Sequence, residues 1–149
     1  MVENIILILS SAIGTVGFCF MLRLRYNRLP FIAVSTALCY SIYLLVLYFN
    51  PADFIANFIA ALFAGFVSEF MAKRLKAPVT VFLTPTILPL VPGSHLYYTI
   101  ESFFKGDLEL ALTHFSSMGR TIGAILLGIV IVNTIMKCVR NFNLNKKTR

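Results

Sequence analysis

The chain is written in long apolar blocks separated by short polar turns, with no strand-length alternation between them. A helix needs roughly 20 apolar residues to cross a hydrocarbon layer about 30 Å thick. Lipid also requires every backbone N–H and C=O to be paired internally, which leaves helices or a closed barrel. A barrel would alternate lipid-facing and lumen-facing positions, and this sequence does not. The pattern predicts an all-α membrane protein, a single domain built as a bundle of five transmembrane helices. The spans are about 4–22, 31–49, 54–72, 79–104 and 110–136. Pro30 opens the second, and the turn Asn50-Pro51-Ala52-Asp53 closes it.

The fourth block is interrupted. It reads Thr84-Pro85-Thr86-Ile87-Leu88-Pro89-Leu90-Val91-Pro92-Gly93-Ser94. Each proline removes a donor and clashes with the preceding turn, at about 3 kcal/mol in a helix interior. Residues 79–91 alone would make about 20 Å of helix, too short to cross, whereas 79–104 would make about 39 Å. Two half-helices meeting at an unwound stretch, the fourth span broken at the Pro/Gly motif, satisfy both lengths. Unwound backbone at membrane depth must be buried in protein or line a cavity, and discontinuous helices of this kind form transporter substrate sites. A half-helix starting near Ser94 would aim free N–H groups at the break and favour an anion such as a carboxylate. The competing reading is a proline kink that only shapes packing.

Composition agrees with the block pattern, since 58% of residues are hydrophobic and 13% charged, against about one-quarter charged in a soluble domain. The net charge of +7 reports topology and no nucleic-acid partner. Arg23, Arg25 and Arg28 form one cluster, Lys73, Arg74 and Lys76 another, and Lys137, Arg140, Lys146, Lys147 and Arg149 a basic tail over 137–149. Glu3, Asp53, Asp107 and Glu109 fall at the opposite ends of the blocks. Basic loops face the cytoplasm. The expected arrangement is a multi-pass protein of the cell (plasma) membrane with its N-terminus outside and its C-terminus cytoplasmic. The acidic N-terminus also argues that the first block is not a cleaved signal.

Chemistry-bearing residues are few. Cys19, Cys39 and Cys138 fit no redox or metal spacing, and His95 and His114 show no ligand spacing, so no metal and no cofactor are expected. Glu69–Lys73 and Glu101–Lys105 stand in the favourable order for helical ion pairs. Arg120 has no acid three or four residues away. It binds a substrate carboxylate from within the fifth span, pairs with an acid elsewhere, or sits at the outer interface, if that span begins near Ser117. Tyr97 and Tyr98 are cavity walls or interfacial anchors. Small residues recur at Ala60, Ala64, Ser68 and Ala72, widened by Ala61 and Gly65, and at Gly119, Gly123, Ala124 and Gly128. Such strips let helix backbones approach closely in lipid.

At Pro85-x-x-x-Pro89-Leu90-Val91-Pro92-Gly93, followed by Tyr97-Tyr98, the chain resembles the threonine/serine exporter family, in particular the small five-span component of its split form. The likeness extends over the length, the span count and the proline–glycine motif. It implies ion-coupled export of small hydrophilic acids such as threonine and serine, or a dicarboxylate such as succinate. It also implies a partner, a larger membrane subunit of the same family. An odd span count, with the two ends on opposite sides, fits an inverted pair of halves independently of the likeness; a homo-oligomer is the other arrangement.

The leading reading is therefore half of a secondary transporter, with Thr84, Thr86, Pro89, Pro92, Gly93, Ser94 and Tyr98 at the substrate site and Arg120 holding the carboxylate. An enzyme would need clustered acids or histidines near one face, which are absent from the sequence. A non-transporting membrane assembly or scaffold subunit, for which the small-residue strips suffice, is the alternative.

Overall fold

A computed structural model describes the backbone of residues 2–147 and the side chains of residues 5–139. Glu3 and the basic side chains Arg140, Lys146, Lys147 and Arg149 lie outside the described residues. The chain folds as α1 (Val2–Met21), α2 (Leu29–Phe49), α3 (Asp53–Leu75), α4 (Thr80–Ile87), α5 (Gly93–Phe104) and α6 (Leu108–Lys147), with short 3₁₀ turns at Tyr26–Arg28 and Leu88–Leu90. There is no strand among the described residues. Three helical stretches are long and apolar enough to cross a membrane: Tyr26–Phe49, Asp53–Leu75 and Leu108–Val139. Ile5–Met21 and Thr80–Leu90 are shorter apolar helices.

Local chemistry sets the ends. Pro30 occupies the first turn of α2, where a missing N–H costs nothing. The Asn50 side chain accepts the Ala52 N–H at 3.2 Å and turns the chain into α3. Both α1 and α3 finish in a left-handed residue, Arg23 (φ 52°) and Lys76 (φ 47°). The next N–H closes the cap in each case, from Leu24 to the Cys19 carbonyl and from Ala77 to that of Ala72, both at 3.1 Å. Gly106, at φ +80°, makes the turn after α5, and the Asp107 carboxylate caps α6 by accepting the Leu110 N–H at 3.1 Å. Just before it, Lys105 Nζ donates to Glu101 Oε1 at 2.6 Å. The matching pair Glu69–Lys73 does not form; Glu69 is half-buried and Lys73 faces out, and nothing in the exposed setting of Lys73 rewards holding the two side chains together.

Lipid is as apolar as leucine, so close packing rather than water exclusion must hold these helices together. The α3 strip does this work: Ala60, Ala61, Ala64, Gly65, Ser68 and Ala72 are all buried. A Cβ at Gly128 would lie 2.9 Å from Ala61 Cβ and 3.1 Å from the Phe58 carbonyl, and one at Gly65 would lie 3.1 Å from Val132. Ala61 with Gly128 and Gly65 with Val132 keep the same offset, so α3 and α6 run parallel. Gly119 and Gly123 do not share in this approach, since a Cβ on either meets nothing within 4 Å. The α6 strip is used only at its Ala124–Gly128 end.

Two apolar clusters make the core. One gathers Cys19, Leu29, Ile32, Ala72 and Phe82; the other Cys39, Ala60, Ala61, Ala64, Leu90 and Ile125. Ile32 and Phe82 share the first cluster, Cys39 and Leu90 the second, so α2 and α4 run the same way. The order is reversed along α3. Helix α4 packs on α1, α2 and α3, whereas α5 packs on α6.

Candidate functional site

The helix that begins at Thr80 stops at Ile87. The Leu88 N–H turns back to the Pro85 carbonyl, and a 3₁₀ turn carries the chain to Leu90. Val91 is then extended (φ −61°, ψ 127°). Pro92 (φ −74°, ψ 63°) forms an inverse γ-turn in which the Gly93 N–H donates to the Val91 carbonyl at 2.7 Å. Helix α5 starts immediately afterwards, and its fourth N–H, from Leu96, bonds to the Pro92 carbonyl at 3.1 Å. The N–H groups of Ser94 and His95 are therefore the donors at this helix start without a backbone acceptor. Gly93 has an ordinary negative φ and open space where a Cβ would stand, so no close approach explains it.

A cavity of about 250 Å³ lies against the break. Its walls are Tyr40 and Tyr43 from α2, Asp53 and Asn57 from α3, Pro89 to Pro92, Ser94 and His95 from α5, and Thr121 from α6. The two tyrosine rings stack at 5.6 Å. Asn57, buried, donates from Nδ2 to the Asp53 carbonyl at 2.8 Å. Beside this cavity is a second of about 250 Å³, lined by Pro51, Ala52, Asp53, Phe54, Ser117, Arg120 and Thr121. Asp53 and Thr121 belong to both. An aspartate, an exposed guanidinium and two N–H groups without a backbone acceptor thus lie around two neighbouring cavities that share Asp53 and Thr121, an arrangement able to hold a small molecule carrying both charges.

Of the residues singled out from sequence, Pro89, Pro92 and Ser94 line the break cavity and Gly93 lies between them in the chain. Arg120 stands one cavity away, exposed, its Nη2 donating to Ser117 Oγ at 3.1 Å. Thr86 is buried in the core with its hydroxyl given to the Phe82 carbonyl at 2.7 Å, and Thr84 is exposed on α4; neither lines the cavity. Tyr98 faces His114, ring centroids 5.5 Å apart, instead of the cavity. His95 and His114, unrelated by spacing, come within 6.2 Å because α5 and α6 form a hairpin. No group of three His, Cys, Asp or Glu able to hold a metal occurs among the described residues.

Tyr40, Tyr43, Asp53, Asn57 and Thr121 were not marked by sequence. Asp53 read as a turn residue, and Tyr40 and Tyr43 stood inside an apolar block. A signal was present in the three-residue spacing of the tyrosines and the four-residue spacing of Asp53 and Asn57, each of which puts a polar pair on one helix face.

The family model for the threonine/serine exporter ThrE matches residues 7–135. An uncharacterized protein of Haemophilus influenzae (strain ATCC 51907 / DSM 11121 / KW20 / Rd) is 27% identical over 131 residues, which cover 83% of this chain and 44% of that protein. The chain thus spans less than half the length of this curated relative. No solved structure matches it. With a match over most of its length and helices apolar enough to span lipid, this chain is a multi-pass membrane protein of a transport family and belongs to the threonine/serine exporters.

Proposed function

We propose that this chain is one half of a secondary transporter that exports small zwitterionic amino acids of the threonine and serine class, coupled to an ion gradient. In this reading α1, α2, α3, the broken α4–α5 pair and α6 are five spans, with the N-terminus outside and the basic tail in the cytoplasm. The substrate sits in the break cavity. Its carboxylate takes the N–H groups of Ser94 and His95, favoured by the positive end of α5. Its ammonium faces Asp53, with Tyr40 and Tyr43 as walls. Arg120, one cavity away, attracts the carboxylate on its way through. Pro89 and Pro92 keep the helix open, and Pro92 makes the turn into α5 at Gly93.

The presence of Asp53 in the cavity wall carries the choice of substrate. A carboxylate there repels a dicarboxylate such as succinate and complements an ammonium group. The second half is a larger membrane subunit of the family or a second copy of this chain. A relative more than twice as long as the matched segment supports the larger-subunit arrangement, and sites between paired halves are the recurring plan of such transporters.

The test is efflux of labelled serine, threonine and succinate from vesicles containing the chain with its partner. Asp53→Asn is expected to lower serine and threonine efflux at least tenfold while the complex still assembles. Unchanged efflux from that variant, or succinate efflux exceeding that of serine in the parent, would reject the assignment.

A further inference from the structure

The three stretches long and apolar enough to cross a membrane, in α2, α3 and α6, share an apolar groove of about 740 Å³. That volume falls among those of small-molecule sites, about 300–1,000 Å³. One wall runs along α2 from Phe31 to Leu38, the other along α3 from Phe63 to Lys73, and Met136 of α6 completes it. Helix α2 begins where α3 ends, so Phe31 and Lys73 stand together at the basic end of the bundle, with Leu38 and Phe63 deeper in. From Lys73 to Phe63 is about 15 Å of helix. The hydrocarbon layer is about 30 Å thick, so the groove is one leaflet deep.

Two of its wall residues, Ser35 and Lys73, have polar side chains. Ser35 spends its hydrogen on the Phe31 carbonyl at 2.7 Å, so it offers no donor to an occupant. Lys73 is exposed at the basic end and joins no ion pair among the described residues. Glu69, one turn back on α3, is not part of the walls. Arg74 lies beside Lys73, its guanidinium carbon 5.1 Å from the centre of the Phe70 ring, and Phe70 is itself a wall residue. A cation over a ring face is held there by the ring quadrupole. The result is a hydrocarbon slot with two cations at its mouth.

We propose that this groove holds an acyl chain of an anionic phospholipid, from the leaflet at the basic end, with the lipid phosphate on Lys73 and Arg74. Depth and charge choose this occupant. A partner helix would cross the whole layer and would need walls continuing past Leu38 and Phe63, where these end; a lipid tail needs one leaflet. Apolar walls accept any tail, but the cations favour a headgroup of net negative charge, as basic pockets between membrane helices do. The guanidinium can take two phosphate oxygens at once, and the ammonium adds a point charge. No wall residue is shared with the break cavity, so the lipid site stands apart from the transport reading above.

Native mass spectrometry of the full-length chain in detergent, titrated with phosphatidylglycerol or with phosphatidylcholine of the same tails, tests it. Phosphatidylglycerol should be retained about thirtyfold more tightly, the effect of two cations near an anionic headgroup. Lys73→Gln with Arg74→Gln should remove that preference. Arg23→Gln with Arg25→Gln takes two charges from the same end without touching the walls, and should leave it intact. Val34 is a wall residue that is 59% exposed, so Val34→Phe puts a ring into the slot without disturbing the core. It should abolish phosphatidylglycerol retention while circular dichroism shows unchanged helix content. Equal retention of the two lipids would overturn the site, as would full retention in Val34→Phe. Equal losses from the two charge-removing pairs would reduce it to general surface attraction. A dimer in detergent that Val34→Phe dissociates would make the occupant a second copy of the chain and overturn it too.

Discussion

Helices α4 and α5 come from one stretch of sequence and meet opposite fates. The α4 segment is inserted among α1, α2 and α3, and Phe82, Pro85 and Thr86 are buried. The α5 segment lies along α6 and buries only Ser102, while Val91, Tyr97, Ile100, Phe103 and Phe104 face outward. The difference follows from three residues. Pro89 and Pro92 cannot donate to the preceding turn, and Val91 is extended, so the chain leaves the core and restarts on another neighbour. One half anchors the fold, and the other is free to present the polar start of its helix to a cavity.

This contrast can be broken from either side. The largest effect should come from Phe82→Ala, which removes a buried ring from the four-helix core and is expected to cost about 3–5 kcal/mol. Tyr98→Ala, on exposed α5, should stay within about 1 kcal/mol. Thermal or denaturant unfolding in detergent compares the two; equal losses would mean that α5 is as much a part of the core as α4. Next in size is repair of the break. Replacing Pro89 and Pro92 together by alanine restores two N–H donors and should extend α4 toward Gly93, closing the cavity and lowering efflux more than tenfold without loss of helicity. Full efflux in that variant would show that transport needs neither the unwound backbone nor the cavity beside it.

The smallest effect lies at the far end of α5. The hydrogen bond from Lys105 to Glu101 holds the lysine pKa above its ordinary value. A raised lysine pKa stabilises the fold below the unfolded value, and that contribution is lost as pH rises through the folded one. Glu101→Gln should lower the lysine pKa, as read by NMR of a labelled Lys105. Because the amine is fully exposed, unfolding near neutral pH should hardly change. A large stability loss would place this turn inside the packed structure.

Much of the architecture was legible because its causes are local. Prolines, apolar length and basic ends are properties of short windows, and they gave the helical class and the place where the backbone stops being helical. The walls of the cavity were not legible. Asp53 is a turn residue by every local criterion, and only the antiparallel run of α2 against α3 brings it to Tyr43 and the break. Thr84 and Thr86 illustrate the converse. They sit beside the motif in sequence, yet the helix turns Thr86 into the core and Thr84 outward, so nearness along the chain was no guide to the cavity. The pairing of His95 with His114 likewise depends on a hairpin whose register no spacing rule reveals.

The inverse γ-turn at Pro92 has a stoichiometric consequence. By taking the Gly93 hydrogen for the Val91 carbonyl, it fixes at two, Ser94 and His95, the number of donors left at the start of α5, a count set by a main-chain bond and independent of any side chain in the cavity.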